Sequence, residues 1–234
     1  MEEKLSGIVL SSINYGENDK ILNIFTLEKG IVCAKIKGVK KAGAKLKFAS
    51  EPFCFAEYVF LTSQGKRSVK TASLIDSFYP LREDIVKFYS AGTAIEFVKR
   101  FYKEEIVSPK AFVLLAETLK QLAYGDDAPR RVIAKFLFEA LKNVGYGLDI
   151  SDCICGKPIK ERPSFSVDYG RFYCMDCAID GCKEVKKSTY LEIQSLHFDE
   201  KTEYDYVGAL RLFEYYLKFK AEESLNALSE LNKL

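Results

Sequence analysis

Residues 5–36 read LSGIVLSSINYGENDKILNIFTLEKGIVCAKI, and the class of fold turns on this stretch. Three β-branched, apolar-rich segments, Leu5–Ile13, Ile21–Leu27 and Ile31–Ile36, are separated by the turn signals Asn14-Tyr15-Gly16 and Lys29-Gly30. Isoleucine and valine suit a pleated, half-buried surface, so each segment predicts a strand. Downstream, Phe53–Leu61 and Val69–Phe78 repeat the pattern around Ser63-Gln64-Gly65. Five short strands before Pro80 predict a small barrel or sandwich.

The pattern changes at Pro80, where apolar spacing becomes helical. Ile85, Phe88, Tyr89 and Gly92 share one predicted face, continued by Ile95, Phe97 and Phe101. Ser108-Pro109 starts a second helix through Phe112, Leu115, Leu119 and Leu122, since proline suits a first turn. It stops at Tyr124-Gly125, where a left-handed glycine cap is expected. A third helix runs from Pro129 to Val144 with Val132, Phe136, Ala140 and Leu141 inward, closed by Gly145 and Gly147. Thr189-x-x-Glu192 has the form of a capping box. Leu210, Phe213, Leu217 and Ala221 mark a longer terminal helix. The fold class is therefore α+β: residues 1–79 a β domain, 80–149 the first part of a helical domain, 150–187 a cysteine-rich insertion, and 188–234 helices completing the helical domain.

The 234 residues are 48% hydrophobic and 29% charged, a globular composition. No apolar run reaches the 18 residues or so that a membrane helix needs. The opening MEEKLSGIVL does not resemble a cleaved signal peptide. Seven cysteines, five of them between positions 153 and 182, argue against a disulfide framework and for a reduced, cytoplasmic setting with a local metal site. Cys33 and Cys54 read as buried free thiols in strands. Net charge is +2, but Lys29 to Lys70 holds ten basic residues against Glu51 and Glu57. Near-neutrality of the whole chain hides a concentrated basic zone.

Two constellations carry chemistry. Lys35, Lys37, Lys40, Lys41, Lys45 and Lys47 fall within 13 residues with no acid among them, and Lys66-Arg67 adds a basic turn. Like charges repel when gathered in one loop, and a phosphate backbone offsets that repulsion by ion pairing and counterion release. Lysine is a point charge on a long stem, suited to backbone contact rather than base reading. Small five-stranded barrels bind single strands across a face and its adjoining loops, with aromatic rings as stacking platforms; Tyr15, Phe25, Phe48, Phe53 and Phe55 are available, most of them as core. The second constellation is Cys153-Ile-Cys155 and Cys174-Met-Asp-Cys177. Four thiolates from two knuckles match tetrahedral zinc and leave no open coordination position, so the metal is structural. His197, the one histidine, has no triad partners, and neither a phosphate-binding P-loop nor a dinucleotide-binding glycine motif is present. An enzyme is disfavoured. The competing class is a zinc-ribbon protein-interaction or regulatory module that does not touch DNA.

Several motifs together resemble the RecO family of recombination mediators in bacterial DNA repair. Tyr15-Gly16-Glu17-Asn18-Asp19-Lys20 with Ile24-Phe25-Thr26 and Gly30 is similar to that family's first strand-turn-strand. Lys37-Gly38-Val39-Lys40-Lys41, Lys45-Leu46-Lys47 and Glu51-Pro52-Phe53 resemble its basic loop. Tyr89-Ser90-Ala91, and Arg130-Arg131 with Leu141 and Gly145-Tyr146-Gly147, resemble the helices preceding its cysteines. The likeness runs from about residue 5 to 180. It implies an N-terminal OB-fold, a helical domain and a zinc-binding insertion of the four-cysteine type. It also implies binding and annealing of single- and double-stranded DNA, without catalysis. The implied partners are RecR, the acidic tail of the single-stranded-DNA-binding protein, RecF and RecA, and the implied location is the nucleoid. Arg130 and Arg131 would receive the acidic tail. Many relatives carry Cys-x2-Cys-Gly, whereas here Asp152 stands where the first ligand is expected. The fourth ligand therefore stays open among Cys153, Asp152 and Cys182.

Overall fold

A computed structural model describes residues 2–198 and 205–234, which divide into two compact units. The first comprises residues up to 91 together with 95–125; the second comprises 92–94 and 126–234.

The first unit is built on β1 (Glu2–Tyr15), β2 (Asp19–Thr26), β3 (Gly30–Ile36), β4 (Phe55–Ser63) and β5 (Lys66–Asp76). They close into a barrel in the order β1-β2-β3-β5-β4. Closure depends on β1, whose first half pairs with β4 (Glu2 opposite Leu61) and second half with β2 (Tyr15 opposite Asp19). The register shifts between Val9 and Ser11, and a bulge of this kind bends a strand so that it can serve two sheet directions. A single parallel contact, Lys35 opposite Ser68, joins β3 to β5. This is the OB-fold arrangement.

Alternation along the strands fills the barrel with Leu5, Val9, Leu22, Ile24, Tyr58 and Phe60. The Tyr58 hydroxyl, raised well above its usual pKa by burial, donates to the Ala49 carbonyl at 3.0 Å. It thereby ties a short 3₁₀ turn, Phe48–Ser50, to the core.

Two helices belong with the barrel: α1 (Ile85–Phe101), apart from its residues 92–94, and α2 (Pro109–Tyr124). Phe112 of α2 packs against Phe25 and Phe55, each at 5.8 Å between ring centres. The segment joining α1 to α2 lies over Gly30, where the Glu105 N–H donates to the Ile31 carbonyl. Gly30 has a φ of +69°, and its missing side chain leaves room for the Ile106 backbone.

Three local expectations need correction here. Ile85 and Phe88 of α1 are exposed, while Ala91, Ala94, Ile95, Phe97 and Val98 are buried. At 3.6 residues per turn these buried positions fall on one broad side of α1, rotated from the predicted face centred on Ile85, Phe88 and Gly92. Gly125 has an extended φ of −79° rather than a left-handed one. Its role is close approach, because a Cβ there would sit 2.7 Å from the Gln121 carbonyl oxygen. Cys54 is buried as expected, but Cys33 falls on the outward side of β3 and is exposed. The compact units group α2 with the barrel.

The second unit contains α3 (Pro129–Asn143), β6 (Ser164–Ser166), β7 (Arg171–Tyr173), β8 (Lys183–Glu184), α4 (Lys187–Phe198), α5 (Tyr206–Lys220) and α6 (Asn226–Leu231). Its small sheet has the order β7-β6-β8. Phe165 of β6 packs on Phe172 (4.9 Å) and on Tyr216 of α5 (5.6 Å), and Phe172 packs on Tyr190 of α4 (5.0 Å). The cysteine-bearing insertion is thus fastened by aromatic rings to two helices of its own unit. On α3 the buried side is broader than expected, taking in Ile133, Ala134, Leu137 and Phe138, with Val132 only half-buried.

Thr189 and Glu192 form no capping box, because α4 already begins at Lys187. Thr189 instead donates to Asp205 Oδ2 at 2.7 Å, and Glu192, fully buried, accepts from the Asp205 N–H at 3.4 Å. Asp205 in turn caps α5 by accepting from the Gly208 N–H.

Candidate nucleic-acid interface and metal centre

Twelve basic residues precede position 80, and the structure sorts them into two sets of six. Lys4 pairs with Glu57, Lys20 with Glu51, Lys29 with Glu3, Lys35 with Asp19, and Lys70 with Glu2. Arg67 is held by both Glu3 (3.0 Å) and Glu105 (2.8 Å). By contrast Lys37, Lys40, Lys41, Lys45, Lys47 and Lys66 are exposed and make no ion pair among the described residues. Five of these unpaired lysines lie in the connection between β3 and β4. The sixth lies at the β4–β5 turn. Of the eight cations expected to face DNA, Lys35 and Arg67 are therefore already engaged with carboxylates.

The lysine loop is anchored rather than loose. Val39 is buried and Leu46 packs against the barrel core, so apolar side chains alternate with the outward lysines. Successive turns close it: Lys41 N–H donates to Gly38, Ala44 to Lys41, and Lys47 to Ala44, each at 3.2 Å. Lys40 N–H reaches back to the Asn18 carbonyl at 3.1 Å. Asp19 pins the loop's start by accepting from Lys35 Nζ (2.8 Å) and from the Gly38 N–H (2.8 Å). The Lys35 hydrogen bond, then that of Gly38, holds the Asp19 carboxyl below its ordinary pKa. Lys35 also lies over the exposed ring of Tyr15, 4.6 Å from its centre. Of the aromatic rings considered as platforms, Tyr15 is exposed, Phe48 and Phe55 are half-buried, and Phe25 and Phe53 are core. Asp19, Val39 and Leu46 are the contributors that charge counting misses. Their signal was the apolar residues set at intervals inside a lysine run.

In the second unit, Cys153, Cys155, Cys174 and Cys177 bring their four sulfurs within 4.8 Å of one another. Cys155 and Cys174 are 3.9 Å apart, against about 3.8 Å for the edge of a tetrahedral zinc–thiolate site with bonds of about 2.3 Å. Asp152 and Cys182 are not members of the cluster, whose fourth thiol is that of Cys153. The short Cys-x-Cys spacing works because Gly156, at φ +73°, turns the chain back so that its N–H donates to the Cys153 carbonyl at 2.7 Å. Across the site, the Cys174 N–H donates to Cys153 Sγ at 3.3 Å. Burial works to raise the Cys153 thiol, but N–H donors from Cys155 and Cys174, with the neighbouring thiols, bring it down to about 6. Hydrogen bonds with Cys155, Cys174 and Cys153 push Cys177 up to about 12. The donor set fits zinc, which would tie the two knuckles together.

The other candidates fall outside both sites. Arg131 is 6% exposed and turned towards Asp127, at 3.9 Å, so its guanidinium offers little to an incoming peptide. Arg130 is half-buried, with Nη2 3.5 Å from the Leu231 carbonyl. His197 packs edge-on against Phe138 and Phe198. No helix among the described residues is long and apolar enough to cross a membrane.

Comparison with known proteins agrees with this arrangement. The model of the recombination protein O N-terminal family matches residues 1–78, the barrel, and that of the C-terminal family matches residues 82–226. The chain belongs to the RecO family. A Desulforamulus reducens relative is 29% identical, with the match covering 98% of this chain and 96% of the relative. One from Shouchella clausii is 32% identical over 76% of this chain and 69% of its own length, and one from Acetivibrio thermocellus is 29% identical over 74% and 70%. All three are named DNA repair protein RecO, a name that states a repair role and no catalytic activity. Within the RecO family, then, this DNA repair protein carries an OB-fold and a four-cysteine cluster of zinc-binding type.

Proposed function

We propose that this RecO-family protein binds and anneals DNA through the lysine loop of its barrel. One observation carries the reading: the unpaired cations of the barrel are gathered on one anchored loop and a turn, while every other barrel cation is neutralised by a carboxylate. An anchored loop has already given up conformational freedom, so strand binding costs less ordering entropy. Lysines on two strands' phosphates would reduce the repulsion that slows pairing. Zinc at the cysteine cluster would hold the insertion folded without entering the DNA contact.

The mediator role extends this reading. The protein would act with RecR, and with RecF, at single strands coated by the single-stranded-DNA-binding protein, so that RecA can replace it. An acidic tail of that protein would meet Arg130 rather than the buried Arg131. Support here is the family membership and the exposed basic surface.

The test is a titration of a fluorescent single strand at rising salt, with wild type and a Lys37→Ala/Lys40→Ala/Lys41→Ala variant. Each lost phosphate contact on a single strand lowers the slope of log affinity against log salt by about 0.7. Three lost contacts therefore predict a drop of about 2. A variant with unchanged affinity and slope would remove the loop from the DNA contact.

A further inference from the structure

The second unit carries a surface of the same chemistry that neither the loop nor the cysteine cluster explains. Arg211, Tyr215, Lys218 and Phe219 fall at i, i+4, i+7 and i+8 of α5, one helix face. The rings of Tyr215 and Phe219 are 4.8 Å apart, and Phe219 is 58% exposed. Lys183 of β8 stands 4.4 Å over the Tyr215 ring, and Lys218 lies 5.5 Å from the centre of Phe219. Alongside runs a groove of about 210 Å³ lined by Lys183, Lys186, Arg211 and Tyr215.

Lys183, Lys186, Arg211 and Lys218 are all exposed, and none makes an ion pair among the described residues. The local carboxylates are otherwise occupied. Glu184 is taken by Arg162 (2.8 Å), Asp205 by Ser188, Thr189 and the Gly208 N–H, and Glu214 by Ser229 and Asn232. Among the described residues, four cations thus share this face, Lys218 beside the exposed Phe219 ring and Lys183, Lys186 and Arg211 along the groove, whose own carboxylates, Glu184 and Asp205, have other partners.

We infer that this face of α5 with β8 is a second binding site for single-stranded nucleic acid, stacking a base on Phe219 and holding phosphates with Lys183, Lys186, Arg211 and Lys218. Cations alone would suit any polyanion. An exposed ring set among them selects bases, because every base offers a π-face to an aromatic side chain. Lys183 covers Tyr215, so Phe219 is the ring left open to a base. The inference does not depend on the lysine loop. A chain with both sites can hold two strands at once.

The chain has no tryptophan, which makes a selective reporter available. Phe219→Trp is conservative and lies on the surface, so far-ultraviolet circular dichroism should match wild type. Titrating this full-length variant with oligo-dT should quench its indole saturably. Adding Lys183→Ala and Arg211→Ala should weaken the quench about tenfold, and Phe219→Ser in the wild-type chain should weaken strand binding by a similar factor. The quench should persist in a Lys37→Ala/Lys40→Ala/Lys41→Ala background, whose own effect is read separately by anisotropy of labelled DNA. Strand binding seen by anisotropy with no change in the indole would overturn the second site and leave the loop intact. So would a quench by poly-glutamate equal to that by oligo-dT, which would mark an acidic-peptide surface instead. A persistent quench with no effect of the loop substitutions would condemn the loop and keep this site.

Discussion

Glu3 tests the division between structural and nucleic-acid-facing cations most directly. Its carboxylate, in a side chain 11% exposed, accepts from Lys29 Nζ and from Arg67 Nε, and Arg67 itself is 19% exposed. In Glu3→Gln the shape survives and the charge does not. Hydrogen bonds to a charged group contribute about 1.5–3 kcal/mol each, and the neutral amide retains part of that. A net loss of about 2–3 kcal/mol follows for the β1–β5 side of the barrel. Read by hydrogen exchange of peptides from 2–15 and 66–76, this is roughly 30- to 150-fold faster exchange, at tenfold per 1.4 kcal/mol. The Lys29 hydrogen bond and, against the opposing effect of burial, that of Arg67 hold the Glu3 pKa below its ordinary value. Its contribution is thus fully present above the unfolded carboxyl pKa of about 4.3 and is lost as pH falls through the lower folded value. The gap between wild type and variant should accordingly be constant at neutral pH and close under acid. Unchanged exchange at neutral pH would refute the reasoning, since Arg67 keeps its second carboxylate, Glu105, in the variant and only the contacts to Glu3 are lost.

Two further substitutions probe the frame around the sites. Cys174→Ser should abolish stoichiometric zinc in the purified protein and lower the melting temperature, as should a strong chelator on wild type; wild type that carries no zinc and melts unchanged with chelator would refute the metal site. Gly30→Ala should cost about 2–4 kcal/mol in urea unfolding, because a left-handed φ and contact with the Ile106 backbone act together, and a cost below about 1 kcal/mol would show that the α1–α2 connection shifts freely.

What the sequence showed and what it concealed follow one physical rule. The five strands were legible because β-branched, apolar-rich composition and Gly-containing turns are local. Helices α2 and α3 were legible because Pro109 and Pro129 mark their first turns. The capping box at Thr189 was misread because the partner that claims both of its residues, Asp205, lies 16 positions from Thr189. The same distance problem hid the neutralisation of Arg67, whose partner Glu3 is 64 positions away. The cysteine spacing left Asp152 and Cys182 open as ligands, since only the turn at Gly156 decides which sulfurs converge.

Charge accounting in three dimensions therefore says more than charge density along the chain. By density, Lys35 and Arg67 belong with the loop, and α5 looks ordinary beside Glu214, Glu222 and Glu223. By pairing, Lys35 and Arg67 leave the candidate interface, whereas Arg211 and Lys218 enter one. A cation held by a carboxylate has already exchanged its hydration for a partner, and to meet a phosphate it must break that pair first. An unpaired cation on an ordered segment has no such cost. Its repulsion from like neighbours is relieved when a polyanion arrives, so binding gains from a cost the folded protein already carries. That asymmetry is why the six unpaired lysines of the barrel, rather than all twelve of its cations, are the residues whose removal should change the salt dependence of strand binding.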